Sequence, residues 1–145
     1  MTLDLEAELN SLYQEPLASF VARRNNLART LKQAGARAEG DRVGKLVRPT
    51  PVAWVLNQLY FRQVDALNAV VESGAALKRA QEGLSAADEF AACKSAHQQA
   101  LRIATDAAVG IAEGAAMAMN AALRRRIELA LAVLGAGTGS EPLTP

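Results

Sequence analysis

The sequence is poor in the residues that most often carry chemistry. It holds one cysteine (Cys93), one histidine (His97), one tryptophan and only 4% aromatics. A lone cysteine excludes an internal disulfide framework and a multi-thiolate metal site, and it suits a reducing cytoplasm. No glycine-rich phosphate loop is visible. The least polar stretch, 107–123, is mostly Ala and Gly and carries Glu113 and Asn120, too weakly apolar to span a bilayer. The acidic start, Asp4, Glu6 and Glu8, is the opposite of a basic signal-peptide opening. Strand alternation and internal repeats are missing too. These absences predict a cytoplasmic, water-soluble protein that holds no cofactor, no metal and no membrane segment, and that is not an enzyme.

What the chain has in quantity is helix-forming apolar residues. Half of its 145 residues are apolar, with Ala, Leu and Val supplying the bulk, which favours helices packed close together. That length matches one domain with one core. Five of the six aromatics (Tyr13, Phe20, Trp54, Tyr60, Phe61 and Phe90) fall before residue 62, so the bulkiest core is expected in the N-terminal half. The prediction is an all-α, single-domain bundle of about six or seven helices over 1–135, followed by a disordered Gly/Ser/Thr/Pro tail over 136–145.

Apolar spacing places the helices. The first covers 4–13, with Leu5, Leu9 and Leu12 on one face. The second opens at Pro16 and stops at Gly35. A weaker one around 41–47 is diluted by Gly40 and Gly44. Thr50 and Pro51, a hydroxyl cap followed by proline, open a helix with apolar groups on every side, as befits the middle of a bundle. Its pattern continues to about 82, with a kink or break near 62–64. Ser85 with Asp88 reads as a cap for the next helix, which runs through Phe90, Cys93, His97 and Leu101 to about 110. The last spans roughly 115–134.

The pairs Leu12-Tyr13, Arg24-Asn25, Leu27-Ala28, Arg48-Pro49 and Ala53-Trp54, together with Phe20 and the run Asn57-Gln58-Leu59, resemble an uncharacterised family of bacterial all-helical hypothetical proteins. The resemblance covers 12–84, about half of the chain. It implies a cytoplasmic helical fold and brings no activity with it.

Several residues invite a functional reading. On a helical wheel Arg24 falls at the centre of the apolar stripe formed by Phe20, Val21, Leu27, Ala28 and Leu31. A guanidinium there must be paired: either in an ion pair or helix-end clamp, with Asp41 or Asp65 as partner, or by an anionic ligand in a pocket. Asn57, beside Trp54 and Phe61, is expected to be a buried amide that fixes one packing register. Cys93 and His97 are four apart and share a face, the spacing of a metal pair or a thiolate and base, but their apolar neighbours make this a core stripe. Asp88 and Glu89, like Glu39 and Asp41, read as helix-start and surface charges. Gly110 and Gly114 have the spacing of a tight helix contact.

Two surfaces remain. From 16 to 62 there are nine Lys or Arg against only Glu39 and Asp41. Within this segment Arg23, Arg29, Lys32, Arg37, Arg42, Lys45 and Arg48 are the candidate phosphate contacts of a nucleic-acid-binding protein. Beyond Arg124, Arg125 and Arg126, which point in three directions, Ile127, Leu129, Leu131, Val133 and Leu134 cover most of the last helix and leave one apolar side in surplus. That surplus predicts an interface with a second copy or another protein, with central burial within the same chain as the competing explanation. The preferred expectation is a non-enzymatic interaction module acting through this C-terminal helix, with the basic segment 23–48 as the alternative.

Overall fold

The computed structural model describes residues 4–83 and 85–137. Among the described residues the chain is an all-α helical bundle with no strand: α1 (Leu5–Gln14), a 3-10 turn (Leu17–Ser19), α2 (Phe20–Gln33), α3 (Arg37–Gly44), α4 (Pro51–Arg62), α5 (Val64–Glu82), α6 (Ala87–Gly114) and α7 (Ala121–Gly135). It gathers into two compact units whose boundary falls inside α4, after Trp54. Ala136 and Gly137 close α7, and the rest of the expected tail, 138–145, lies outside the described residues.

In the first unit, α1 starts where Asp4 Oδ1 accepts the Ala7 N–H at 3.3 Å. Pro16 does not open α2 as expected. Glu15 before it is extended (ψ 152), as a residue preceding proline prefers, and a 3-10 turn intervenes before the helix begins at Phe20. The Trp54 indole N–H donates to the Glu15 carbonyl at 2.9 Å, so the buried tryptophan also satisfies the end of α1. Tyr13 packs against Phe20 with ring centroids 5.4 Å apart, and burial pushes its phenol pKa up.

α2 ends where predicted. Gly35 takes the left-handed conformation (φ +87), and the N–H groups of Gly35 and Ala36 donate to the carbonyls of Lys32 (3.1 Å) and Leu31 (2.8 Å), a Schellman closure. α3 then begins four residues earlier than the apolar spacing suggests. Gly40 and Gly44 are contact points there, not dilution: a Cβ on Gly40 would stand 2.7 Å from Lys32 Cγ and 2.9 Å from the Ala28 carbonyl oxygen. The backbone of α3 therefore lies directly on α2. Ala28, Leu31 and Val43 form the core between them, with Leu5, Leu9 and Leu27 packed against it.

The expected start of α4 is present, with Thr50 Oγ1 accepting the Ala53 N–H at 3.2 Å. Six consecutive residues, Trp54 to Leu59, are buried, which is more than one full turn and leaves that stretch no wet side. The predicted break falls at Gln63 (φ −141, ψ 55).

In the second unit α5, α6 and α7 pack as an antiparallel succession, since Ser73 meets His97 and Asp106 meets Arg124. α6 runs past the expected stop near residue 110 because Ala104, Ala108, Ile111 and Ala112 keep a buried stripe going. Its start also differs from the sequence reading: Ala86 occupies the cap position with no side-chain bond, and Ser85 does not cap. α7 begins later than expected, at Asn120, whose Oδ1 accepts the Leu123 N–H at 2.8 Å.

The end of α6 stores a small strain. Ala116 sits at φ +57, and its N–H and that of Met117 close the helix onto Glu113 and Ala112, both at 3.0 Å. Glycine carries no Cβ penalty in this conformation. Ala116→Gly is therefore expected to stabilise the fold by about 1 kcal/mol, read as a higher midpoint in chemical denaturation.

Candidate functional site

α7 divides the predicted interface residues between two environments. Ile127 and Leu131 are fully buried, joined by Leu123 and flanked by the half-buried Leu134. They are core, which corrects the expectation that they face a partner. The reason is the step of about 100° per residue: positions 123, 127, 131 and 135 form one stripe, and that stripe faces α5 and α6. Leu129 and Val133 fall on the opposite side, 55% and 52% exposed, at i and i+4. This exposed apolar strip is narrower than the sequence suggests. Ala122 and Ala136 extend it at either end, and both are exposed.

All seven candidate phosphate contacts in the basic segment are exposed. Three have carboxylate partners: Arg23 with Glu15 (3.7 Å), Lys32 with Asp41 (3.2 Å) and Arg42 with Glu39 (3.7 Å). Arg48 Nε donates to the Leu17 carbonyl at 3.3 Å. Arg29, Arg37 and Lys45 have neither kind of partner among the described residues, so four of the seven cations lack a carboxylate there. Arg29 lies opposite the buried stripe of α2, while Arg23 and Lys32 flank that stripe on opposite sides, so the cations of α2 radiate instead of forming one row.

Arg24 is half-buried and clamps backbone. One guanidinium nitrogen donates to the Leu46 carbonyl at 2.9 Å, just beyond the end of α3, and Nε and the other nitrogen donate to Asn25 Oδ1 at 3.1 and 2.9 Å. Asp41, one of its expected partners, is taken by Lys32. Asn57 is buried, and so is Gln58, which sequence reasoning missed; Gln58 Oε1 accepts from Arg62 at 3.3 Å. Both amides belong to the stretch 54–59 of α4, every residue of which is buried.

Cys93 and His97 are half-buried on α6. His97 Nδ1 lies 2.8 Å from Ser73 Oγ, which donates to the Val70 carbonyl at 3.2 Å. The tautomer of His97 decides which of the two donates across this contact. The pair ties α6 to α5. Among the described residues no group of three His, Cys, Asp or Glu is placed to hold a metal ion, and no helix is long and apolar enough to cross a membrane.

Gly110 and Gly114 face open space, correcting their expected role in a close helix contact. That role belongs to Gly74 and Gly135. A Cβ on Gly74 would overlap the carbonyl oxygen of Gly135, and one on Gly135 would stand 2.6 Å from His97 Cε1. Neither glycine has a motif spacing that announces it, because the contact joins residues far apart in sequence.

Grooves also mark the surface among the described residues. One, of about 230 Å³, lies between α1 and α2 and is lined by Glu8, Ser11, Glu15, Arg23, Asn26 and Thr30, with Leu12 and Leu27 at its base. Another, of about 260 Å³, lies between α6 and α7 and is lined by Leu101, Arg102, Thr105, Arg124 and Glu128. Compared with models of protein families, with curated proteins and with solved structures, the chain matches none.

Proposed function

We propose that this protein is a non-enzymatic, cytoplasmic interaction module that associates with a second copy of itself through the outward face of α7. The observation that carries the reading is the pair Leu129 and Val133, more than half exposed on the side of α7 opposite its buried stripe. Exposed apolar residues one helical turn apart form a docking ridge, and burying them against a like ridge is favourable at roughly 25 cal/mol per Å².

Electrostatics supports an antiparallel copy as the occupant. Arg125 and Arg126 flank the start of the apolar stripe, and both are exposed. In an antiparallel pairing they approach the partner's α7 C-terminus, where unpaired carbonyls carry partial negative charge. Such a pairing has two-fold symmetry, the commonest form of self-association.

Light scattering on the purified chain is expected to give a concentration-dependent mass above 15.3 kDa. The Leu129→Asp, Val133→Asp double variant is expected to stay folded and return 15.3 kDa at every concentration. A wild-type chain that stays at that mass throughout would remove the proposal. Nucleic-acid binding through the segment 23–48 is the weaker reading, because acids neutralise three of its seven cations.

A further inference from the structure

The groove between α6 and α7 carries a second, independent reading. Thr105 is 95% buried, since only 5% of its surface is accessible, yet among the described residues its hydroxyl has no hydrogen-bond partner. A threonine inside a helix ordinarily donates back to the carbonyl one turn earlier, as Thr30 does to Asn26 at 3.0 Å. Thr105 does not. No fully buried side-chain oxygen or nitrogen lacks a partner among the described residues, so this hydroxyl must keep its contact with the open groove it lines.

Two guanidinium groups line the same groove. Arg102 is exposed and has no carboxylate partner among the described residues. Arg124 leans between Asp106 at 3.6 Å and Glu128 at 3.1 Å, in exposed pairs that exchange readily with solvent. The charge order of α7 adds to the field. Its first turn holds no acid and is followed at once by Arg124, Arg125 and Arg126, so positive side chains crowd the positive end of the helix dipole. That arrangement opposes helix stability and attracts an anion.

The rest of the lining narrows the anion. Leu101 offers an apolar wall, and the Glu128 carboxylate repels a second negative charge. We propose that this groove binds a small monocarboxylate with a short aliphatic chain: its oxygens accept from the Thr105 hydroxyl and from Arg102 and Arg124, and its chain lies over Leu101. By helical step the groove is on a different side of α7 from Leu129 and Val133, so it stands or falls independently of self-association.

Titrating the full ¹⁵N-labelled chain with butyrate, inorganic phosphate or butanol tests the site. Saturable amide shifts at Arg102, Thr105 and Arg124 are expected with butyrate, roughly tenfold weaker ones with phosphate and none with butanol. Arg102→Gln, on an exposed side chain, is expected to weaken butyrate roughly tenfold. Thr105→Val is expected to lose butyrate to the same extent while keeping the wild-type melting temperature, because the hydroxyl reaches the open groove and makes no bond within the fold. Glu128→Gln should bring phosphate up towards butyrate. The absence of a saturable shift at these residues, equal binding of phosphate and butyrate by the wild type, or a Thr105→Val chain that melts lower or binds butyrate unchanged would overturn the proposal.

Discussion

Gly74→Ala is expected to destabilise the fold by about 3 kcal/mol or more, measured by chemical denaturation. The added methyl would overlap the Gly135 carbonyl oxygen and stand 2.7 Å from its carbon and 3.1 Å from its Cα. These are backbone atoms, which cannot rotate away as a side chain can. Relief requires moving the last turn of α7, and that turn rests on His97 and Val70: a Cβ on Gly135 would meet their side chains at 2.6 and 3.2 Å. The opposite sign is expected at Gly110, which lies in the interior of α6 with nothing near its would-be Cβ. There Gly110→Ala removes only the backbone-entropy cost of glycine and stabilises by about 0.5–1 kcal/mol. Equal effects at the two positions would mean that α5 and α7 do not touch at Gly74.

A second large effect separates the two sides of α7. Leu131→Ala is expected to cost about 2–5 kcal/mol, because Leu131 is fully buried and truncation leaves a cavity as well as losing transfer energy. Ile127→Ala should behave alike. Leu129→Ala, two positions away on the exposed side, is expected to change stability by less than about 0.5 kcal/mol in the dissociated chain. Denaturation midpoints of the three variants, taken at a concentration low enough to keep the chain dissociated, check the contrast. A costly Leu129→Ala in that state would place Leu129 in the core.

Helix existence was legible in the sequence wherever punctuation and periodicity agreed. Thr50-Pro51 opens α4, Gly35 closes α2 and the break before Val64 falls where the apolar face changes. What misled was local grammar overridden by packing. Pro16 looks like a first-turn proline, yet extended Glu15 and the indole of Trp54 hold it outside α2. Ser85 and Asp88 look like a cap, yet the helix begins at Ala87. Gly40 looks like a flaw in α3 and is instead its contact with α2.

The surfaces were legible only in part. Continuous apolar residues from 127 to 134 announce that α7 has more than one apolar side, but only the partners fix which side is core; Ile127 and Leu131 therefore passed for interface. Thr105 gives no signal at all in a sequence, because its distinction is a missing hydrogen bond. The three arginines at 124–126 do give one, since they stand against the helix dipole.

α7 seats one face in its own bundle, and the proposed dimer takes the other. Methyl NMR spectra of the wild-type chain across a dilution series test this residue by residue. The Leu129 and Val133 methyl resonances are predicted to move with concentration while those of Ile127 and Leu131 stay fixed. Resonances of Leu129 and Val133 that hold still from dilute to concentrated solution would contradict it.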